Sequence, residues 1–386
     1  MDTNLQKDDF TGTIKFVPPL HKQRYQFIKD LVIKYKPKKV ADLGCADCTL
    51  LRMLKFYKCI EVLAGLDIRE NRLFNFERFR RHTLSPLPGD YLQPSERSLT
   101  VTLYHGSIAH EDPCMLGFDL VTCIELIEHL EATELEKFPK VVFGFMAPAM
   151  VVISTPNSEF NPLLPGVTLF RHSDHNYVLY IALAVEAATR YDYTVEFTGL
   201  GTPPPGTEDV GFCTQIGVFR RKYPKNGETV SSEKPTEHAY KTVFKAVYPS
   251  LKDEKYLQNA VVSEVIFGAE IMKQRLLGNF KSEDMEHSDG LQMQLKFQPF
   301  KYFLMCSKNH SPVEAEKLAT DRSMEPFIDG NTVYIPLTKI FSIPKVNQLC
   351  GTIEKLSKLI DGKVALSNDG SAVIVTIEYE DEEQEN

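Results

Sequence analysis

No apolar run in this sequence approaches the ~20 residues needed to cross a bilayer. The opening stretch, Met1-Asp2-Thr3-Asn4-Leu5-Gln6-Lys7-Asp8-Asp9, is too polar for a signal peptide. Both absences point to a reduced, cytoplasmic compartment and away from a membrane. Tryptophan is missing altogether. Cys45-Ala46-Asp47-Cys48 has the spacing of a redox or zinc pair, but no second pair accompanies it. Cys123, Cys213 and Cys306 lie in apolar runs, where cysteine behaves as a small hydrophobe. No internal repeat is visible.

What is present supports a packed, multidomain chain. Its 386 residues predict roughly two to three domains. A hydrophobic fraction of 43% is enough for a core. The net charge is −8, but the tail Glu378-Tyr379-Glu380-Asp381-Glu382-Glu383-Gln384-Glu385 holds six of the acids, so the body is closer to neutral. That neither favours nor excludes nucleic acid, because a local basic strip is sufficient for phosphate contacts.

From residue 38 to about 222, strand-like and helix-like segments alternate. Strands are expected at 39–44, 61–68, 99–106, 118–124 and 150–155. Helices are expected between them, at 48–56 and at 131–145, the latter broken near Pro139. Alternation of this kind predicts βαβ units and a parallel sheet covered on both faces. Residues 194–199 and 211–220 read as an antiparallel pair at the end of the sheet, linked through Thr202-Pro203-Pro204-Pro205-Gly206. Residues 1–36 form an N-terminal segment, 37–222 the main domain, and 223–238 a linker rich in Pro, Gly, Ser and charge. Residues 239–386 form a small, poorly defined C-terminal region. Within it a helix is expected at 254–276, strands at 332–337 and 372–379, and a helix at 346–360.

Three expected strand ends carry cofactor chemistry. Val40-Ala41-Asp42-Leu43-Gly44-Cys45 is a strand ending in an acid and then a glycine, the turn that lets backbone approach a ligand at a helix N-terminus. Asp67 ends the next strand, near the usual distance for a carboxylate that binds ribose hydroxyls. Gly106-Ser107 closes the third, where adenine commonly packs. Ala46 and Cys48 stand where further glycines of a dinucleotide fingerprint would fall. An Asp two residues before the first glycine favours S-adenosylmethionine (SAM) over NAD, since that acid can meet the methionine ammonium. Asp42 or Asp67 alone would also serve as a helix cap. A NAD-dependent oxidoreductase is the weaker reading, because it gives no role to the residues that follow.

The apolar strand 118–124 runs into Glu125-Leu126-Ile127-Glu128-His129. On a helix, Glu125, Glu128 and His129 stand at i, i+3 and i+4 and share one face. Two carboxylates and an imidazole are the raw material of a divalent-metal site. A solvated helix start, where acids are favoured by the helix dipole, explains the same spacing. A fourth ligand is expected in Phe170-Arg171-His172-Ser173-Asp174-His175. Such a set tolerates Mg²⁺ and suits Mn²⁺, Co²⁺ or Zn²⁺ at least as well.

Taken together, Phe16-Val17-Pro18-Pro19-Leu20-His21-Lys22-Gln23-Arg24-Tyr25, the Asp-Leu-Gly-Cys turn, Cys123 to His129 and Ile153-Ser154-Thr155-Pro156-Asn157-Ser158-Glu159-Phe160-Asn161 resemble the small-RNA 3′-terminal 2′-O-methyltransferases. In animals these modify piRNAs, and plant relatives modify microRNA duplexes. The resemblance covers about residues 16–222. It implies a Rossmann-like SAM-dependent methyltransferase sheet, parallel with an antiparallel pair at its end, plus a C-terminal appendage. It implies a Mg or Mn site of Glu125, Glu128, His129 and His175, with His129 or His172 accepting the proton. It further implies SAM held by Asp42, Gly44, Asp67, Gly106 and Ser107, the 3′ end of a single-stranded small RNA as substrate, and delivery by a PIWI-type Argonaute.

Lys22, Arg24, Arg80 and Arg81 are the candidate phosphate contacts, although the run 78–81 also reads as a solvated helix face. Phe16 and Tyr25 are candidates for base stacking, with buried packing the alternative. The chain begins too close to its catalytic domain for the upstream RNA modules of the plant enzymes. A monomeric, stand-alone form in germ granules is the expectation. One departure stands out: the family continues after Asp174-His175 with a Phe-Glu-Trp-Thr-Arg stretch, which Asn176-Tyr177-Val178-Leu179-Tyr180 and its continuation replace. It motivates an alternative, an RNA-end-binding module with impaired catalysis.

Overall fold

The structure is a computed structural model, and it describes residues 4–7, 14–69, 81–164, 185–186, 188–204, 210–223, 238–284 and 325–377. The chain divides into two compact units, Met1–Lys252 and Asp253–Asn386.

In the first unit, β1 (Asn4–Lys7) pairs antiparallel with β2 (Ile14–Val17), and α1 (Leu20–Tyr35) follows. The α1 helix starts directly after Pro18-Pro19, where a missing N–H costs nothing, and buries Ile28 and Val32, one turn apart on one face. The main sheet then takes β3 (Lys39–Leu43), β4 (Val62–Asp67), β5 (Leu99–His105), β6 (Leu120–Ile124), β7 (Met150–Pro156), β8 (Tyr193–Leu200), β9 (Thr214–Arg221) and β10 (Lys241–Tyr248). Their spatial order is β10-β5-β4-β3-β6-β7-β9-β8. The five strands from β5 to β7 run parallel, while β9, β8 and β10 run antiparallel to their neighbours.

Each parallel strand is buried on both faces, so alternate residues feed two cores. Ala41, Leu43, Val121, Cys123, Val151 and Ile153 pack on one side. Val40, Leu63, Leu120, Val152 and Ile216 pack on the other, against Ile28 and Val32 of α1. The chain reverses direction of travel at β3, with β4 on one side and β6 on the other. In an open sheet this is where the carboxyl strand ends diverge and leave a crevice.

The helix expected to break at Pro139 does not break. Ala132–Pro139 continues into a π-helical turn, Lys140–Met146, which buries Val141, Val142, Phe143 and Met146. Proline lacks the N–H for the regular ladder, and widening the turn is one way to carry on. The boundary expected at 239 also moves. Lys241–Tyr248 pairs with β5 along its length, and the first unit runs to Lys252.

The second unit packs the helix Glu254–Asp284 against an antiparallel sheet of β11 (Phe327–Asp329), β12 (Thr332–Pro336) and β13 (Ala372–Thr376). Val261, Val265 and Ala269 recur every four residues and meet Val333, Ile335, Leu356, Ile360 and Val373. The single helix expected at 346–360 is two, Pro344–Cys350 and Ile353–Ile360. Thr352 restarts it by accepting the Lys355 N–H on its hydroxyl.

Candidate active site

All five parallel strand ends open into one cleft of about 1020 Å³. Asp42, Gly44, Cys45 and Ala46 line it from β3, Asp67 from β4, and Gly106 and Ser107 from β5. Glu125, Glu128 and His129 line it from beyond β6, and Thr155 and Asn157 from β7 and beyond. The five residues expected to hold the cofactor are thus brought together.

The turn after β3 is built tightly. The N–H groups of Gly44 and Cys45 both donate to the Leu66 carbonyl, at 2.7 and 3.2 Å. Gly44 has φ +73°, and a Cβ there would lie 2.7 Å from Leu126 Cδ1, so any other residue is strained by backbone and by packing. Ala46 and Cys48, at the expected glycine positions, have φ +44° and +57°. The left-handed backbone of the glycine fingerprint persists here without the glycines, at a strain of about 1 kcal/mol each. Asp67 holds this turn: its Oδ2 accepts the Ala46 N–H at 2.8 Å and its Oδ1 the Arg69 N–H at 2.8 Å.

Asp42 is 5% exposed and accepts the Thr122 hydroxyl at 2.7 Å. Burial raises it to about 7, helped by the charges of Asp67 and Asp47 and opposed by the Thr122 bond. Such a carboxyl invites a cation. Tyr25, which also lines the cleft, is pushed up to about 12 by burial and by Asp42 and Asp47.

The segment after β6 is not the α-helix expected. Glu125 is left-handed at φ +51°, and only Ile127–His129 form a 3₁₀ turn. Leu126 fills the space against Gly44. Glu125, Glu128 and His129 nevertheless line the same cleft. Glu125 accepts the Ser154 hydroxyl on Oε1 at 3.0 Å, and its Oε2 pairs with Arg24 Nη1 at 3.3 Å. Burial raises Glu125, against the pull of Arg24 and Ser154. Glu128 is 1% exposed, and neither carboxylate oxygen has a hydrogen-bond partner of good geometry. Burial, with Glu125 beside it, pushes Glu128 well above the usual carboxylate range.

Among the described residues, no three of His, Cys, Asp and Glu close on one point as a metal cage does. His172 and His175 lie outside the described residues. The donor set present still fits a divalent cation. Both Glu128 oxygens are buried without a hydrogen-bond partner, which a cation would supply; carboxylate oxygens suit Mg²⁺ or Mn²⁺, and the imidazole suits Mn²⁺, Co²⁺ or Zn²⁺ at least as well.

The expected RNA contacts divide. Lys22 is exposed on α1. Arg24 lines the cleft, its side chain 15% exposed and engaged with Glu125 and with the Thr214 hydroxyl. Arg80 and the side chain of Arg81 lie outside the described residues. Phe16 packs 6.0 Å from Phe160, ring centre to ring centre, and also lines the cleft. Sequence reasoning missed three contributors: Ser154, which sits inside a quoted motif, Glu134, which accepts the Ser107 hydroxyl at 2.6 Å, and Asn157. Asn157 donates to the Val210 and Phe212 carbonyls and accepts from Glu159, which fixes one rim of the cleft.

A parallel sheet with an antiparallel end pair, an acid–glycine turn and acids at successive strand ends define a SAM-dependent methyltransferase. The small RNA 2′-O-methyltransferase of Gallus gallus is 64% identical over 99% of this chain and 100% of its own length. That of Xenopus tropicalis is 48% identical over 95% and 98%. Residues 255–377 match the model of the HENMT1 C-terminal domain. The crystal structure of small RNA methyltransferase HEN1 superposes with a TM-score of 0.50 at 27% identity. It covers 65% of this chain, which spans 29% of that larger protein. The chain belongs to the small RNA 2′-O-methyltransferase family.

Proposed function

We propose that this enzyme transfers the methyl group of SAM to the 2′-hydroxyl of the 3′-terminal nucleotide of single-stranded small RNAs of the piRNA type, protecting that end. The observation that carries the reading is the buried, cation-seeking Glu128 in the same cleft as Asp42, Gly44 and Asp67.

Asp42 receives the methionine ammonium, and Asp67 faces the ribose hydroxyls while its oxygens hold the turn at Ala46. Gly106 and Ser107 wall the adenine end. Glu125, Glu128 and His129, with His175, would hold a divalent cation, which supplies Lewis-acid polarisation of the terminal ribose diol. An internal nucleotide lacks the free 3′-hydroxyl, so a site built for a diol selects ends. The 2′-hydroxyl proton passes to an imidazole nitrogen of His129 or His172. Holding the 2′-oxygen in line with the sulfonium methyl accounts for much of the acceleration. A PIWI-type Argonaute in the germline cytoplasm fits as the source of the RNA.

Periodate treatment of a single-stranded oligonucleotide after incubation with enzyme, SAM and Mn²⁺ or Mg²⁺ tests the reading, because periodate cleaves only a free vicinal diol and methylation of the 2′-hydroxyl removes it. Glu128→Ala should lose protection by more than about 100-fold while SAM affinity stays within about threefold. Equal loss of both rejects the assignment.

A further inference from the structure

The lead-in to β10, residues 238–240, lies outside the cleft and reaches it indirectly. The Tyr240 ring lies against Gly106, so closely that a Cβ at 106 would overlap it. The Tyr240 hydroxyl donates to the His110 carbonyl at 2.6 Å, and its N–H donates to Asp112 Oδ2 at 2.9 Å. His238 Nδ1 lies 3.0 Å from Asp112 Oδ1, the oxygen that also accepts the Cys114 N–H. Asp112 is 1% exposed and Tyr240 6%. Two residues, His238 and Tyr240, therefore grip the 106–114 loop at Gly106, His110 and Asp112.

The other face of that loop is cleft wall. Gly106, Ser107 and Ile108 line the cavity, and Tyr240 does not. Ser107 is held from inside by Glu134, and the Gly106 N–H donates to the Asp67 carbonyl. The loop is thus pinned between the cofactor side and the β10 lead-in. A wall that must lie flat against a purine tolerates little displacement.

We propose that Tyr240, with His238 and Asp112, is a positioning clamp for the wall that receives the adenine of the cofactor, so that a segment outside the cleft sets cofactor affinity. This rests on the cleft being the SAM site. Because Tyr240 does not line the cleft and meets its wall through the 106–112 loop, its loss should weaken the adenine-bearing ligand and leave the RNA end alone. A general structural defect would lower both affinities in parallel.

The test is calorimetric titration of the full chain with S-adenosylhomocysteine and, separately, with a single-stranded RNA oligonucleotide. Tyr240→Ala should weaken S-adenosylhomocysteine about tenfold or more and leave RNA affinity unchanged. Tyr240→Phe keeps the ring on Gly106 and should recover to within about threefold of the wild type. Wild-type affinity in Tyr240→Ala, equal weakening of both ligands, or no recovery in Tyr240→Phe would each overturn the clamp. If Tyr240→Ala does not fold, His238→Ala removes one leg at a residue whose side chain is 67% exposed. It should weaken S-adenosylhomocysteine by about threefold at an unchanged melting temperature, and unchanged affinity overturns the proposal. Failure of the wild-type protein to bind S-adenosylhomocysteine would instead reject the reading of the cleft.

Discussion

Asp42 carries the clearest pH dependence at the level of single residues. Its folded-state value of about 7 lies above the ordinary 3.8, so below neutral pH the folded chain holds a proton that the unfolded chain has lost. The stability this contributes is fully present below about 4 and fades as pH rises through about 7. Cofactor binding runs the other way, because an ammonium pairs only with the ionised carboxylate. Affinity for S-adenosylhomocysteine should rise by up to about tenfold per pH unit below 7 and level off above it, with proton release on binding. Calorimetry at pH 6 and 8 in buffers of different ionisation enthalpy measures both, and a flat wild-type profile would exclude Asp42 as the ammonium partner. Gly44→Ala should cost about 2–4 kcal/mol in chemical denaturation, since it meets both a positive φ and Leu126.

At the scale of elements, Asn157 is the most consequential linker. Losing it orphans two carbonyls and an N–H at a position 2% exposed, and Asn157→Ala should destabilise the first unit by about 2–4 kcal/mol by thermal unfolding. Much of this layer was legible in the sequence. Buried parallel strands are nearly continuous apolar runs, so β3, β4, β5, β6 and β7 stand within a residue or two of their expected places. The acid–glycine turn and the Glu-x-x-Glu-His string could be read because their chemistry is local. The path between those acids could not, because the i, i+3, i+4 spacing reads equally as an α-helix, whereas Glu125 is left-handed and only Ile127–His129 turn as 3₁₀. Strand β10 escaped for a similar reason. Lys241-Thr242-Val243-Phe244-Lys245-Ala246-Val247-Tyr248 mixes charge with apolar residues as an edge does, and only its pairing with β5 identifies it. The Asp112–Tyr240 contact spans two distant stretches with no motif in either.

For the whole molecule, each unit has its own core, and the second should unfold cooperatively when expressed as residues 253–386. Val265→Ala, at a fully buried position, should lower its stability by about 1–3 kcal/mol without changing S-adenosylhomocysteine affinity of the full chain. The position of β10 also bears on where the chain can be cut. A fragment stopped at residue 222 would leave β5 with a bare row of unmet amides and carbonyls, a template for any passing strand. Such a fragment should self-associate with concentration in sedimentation runs, whereas one ending at residue 252 should stay monodisperse, its flank guarded by Lys241 and Lys245.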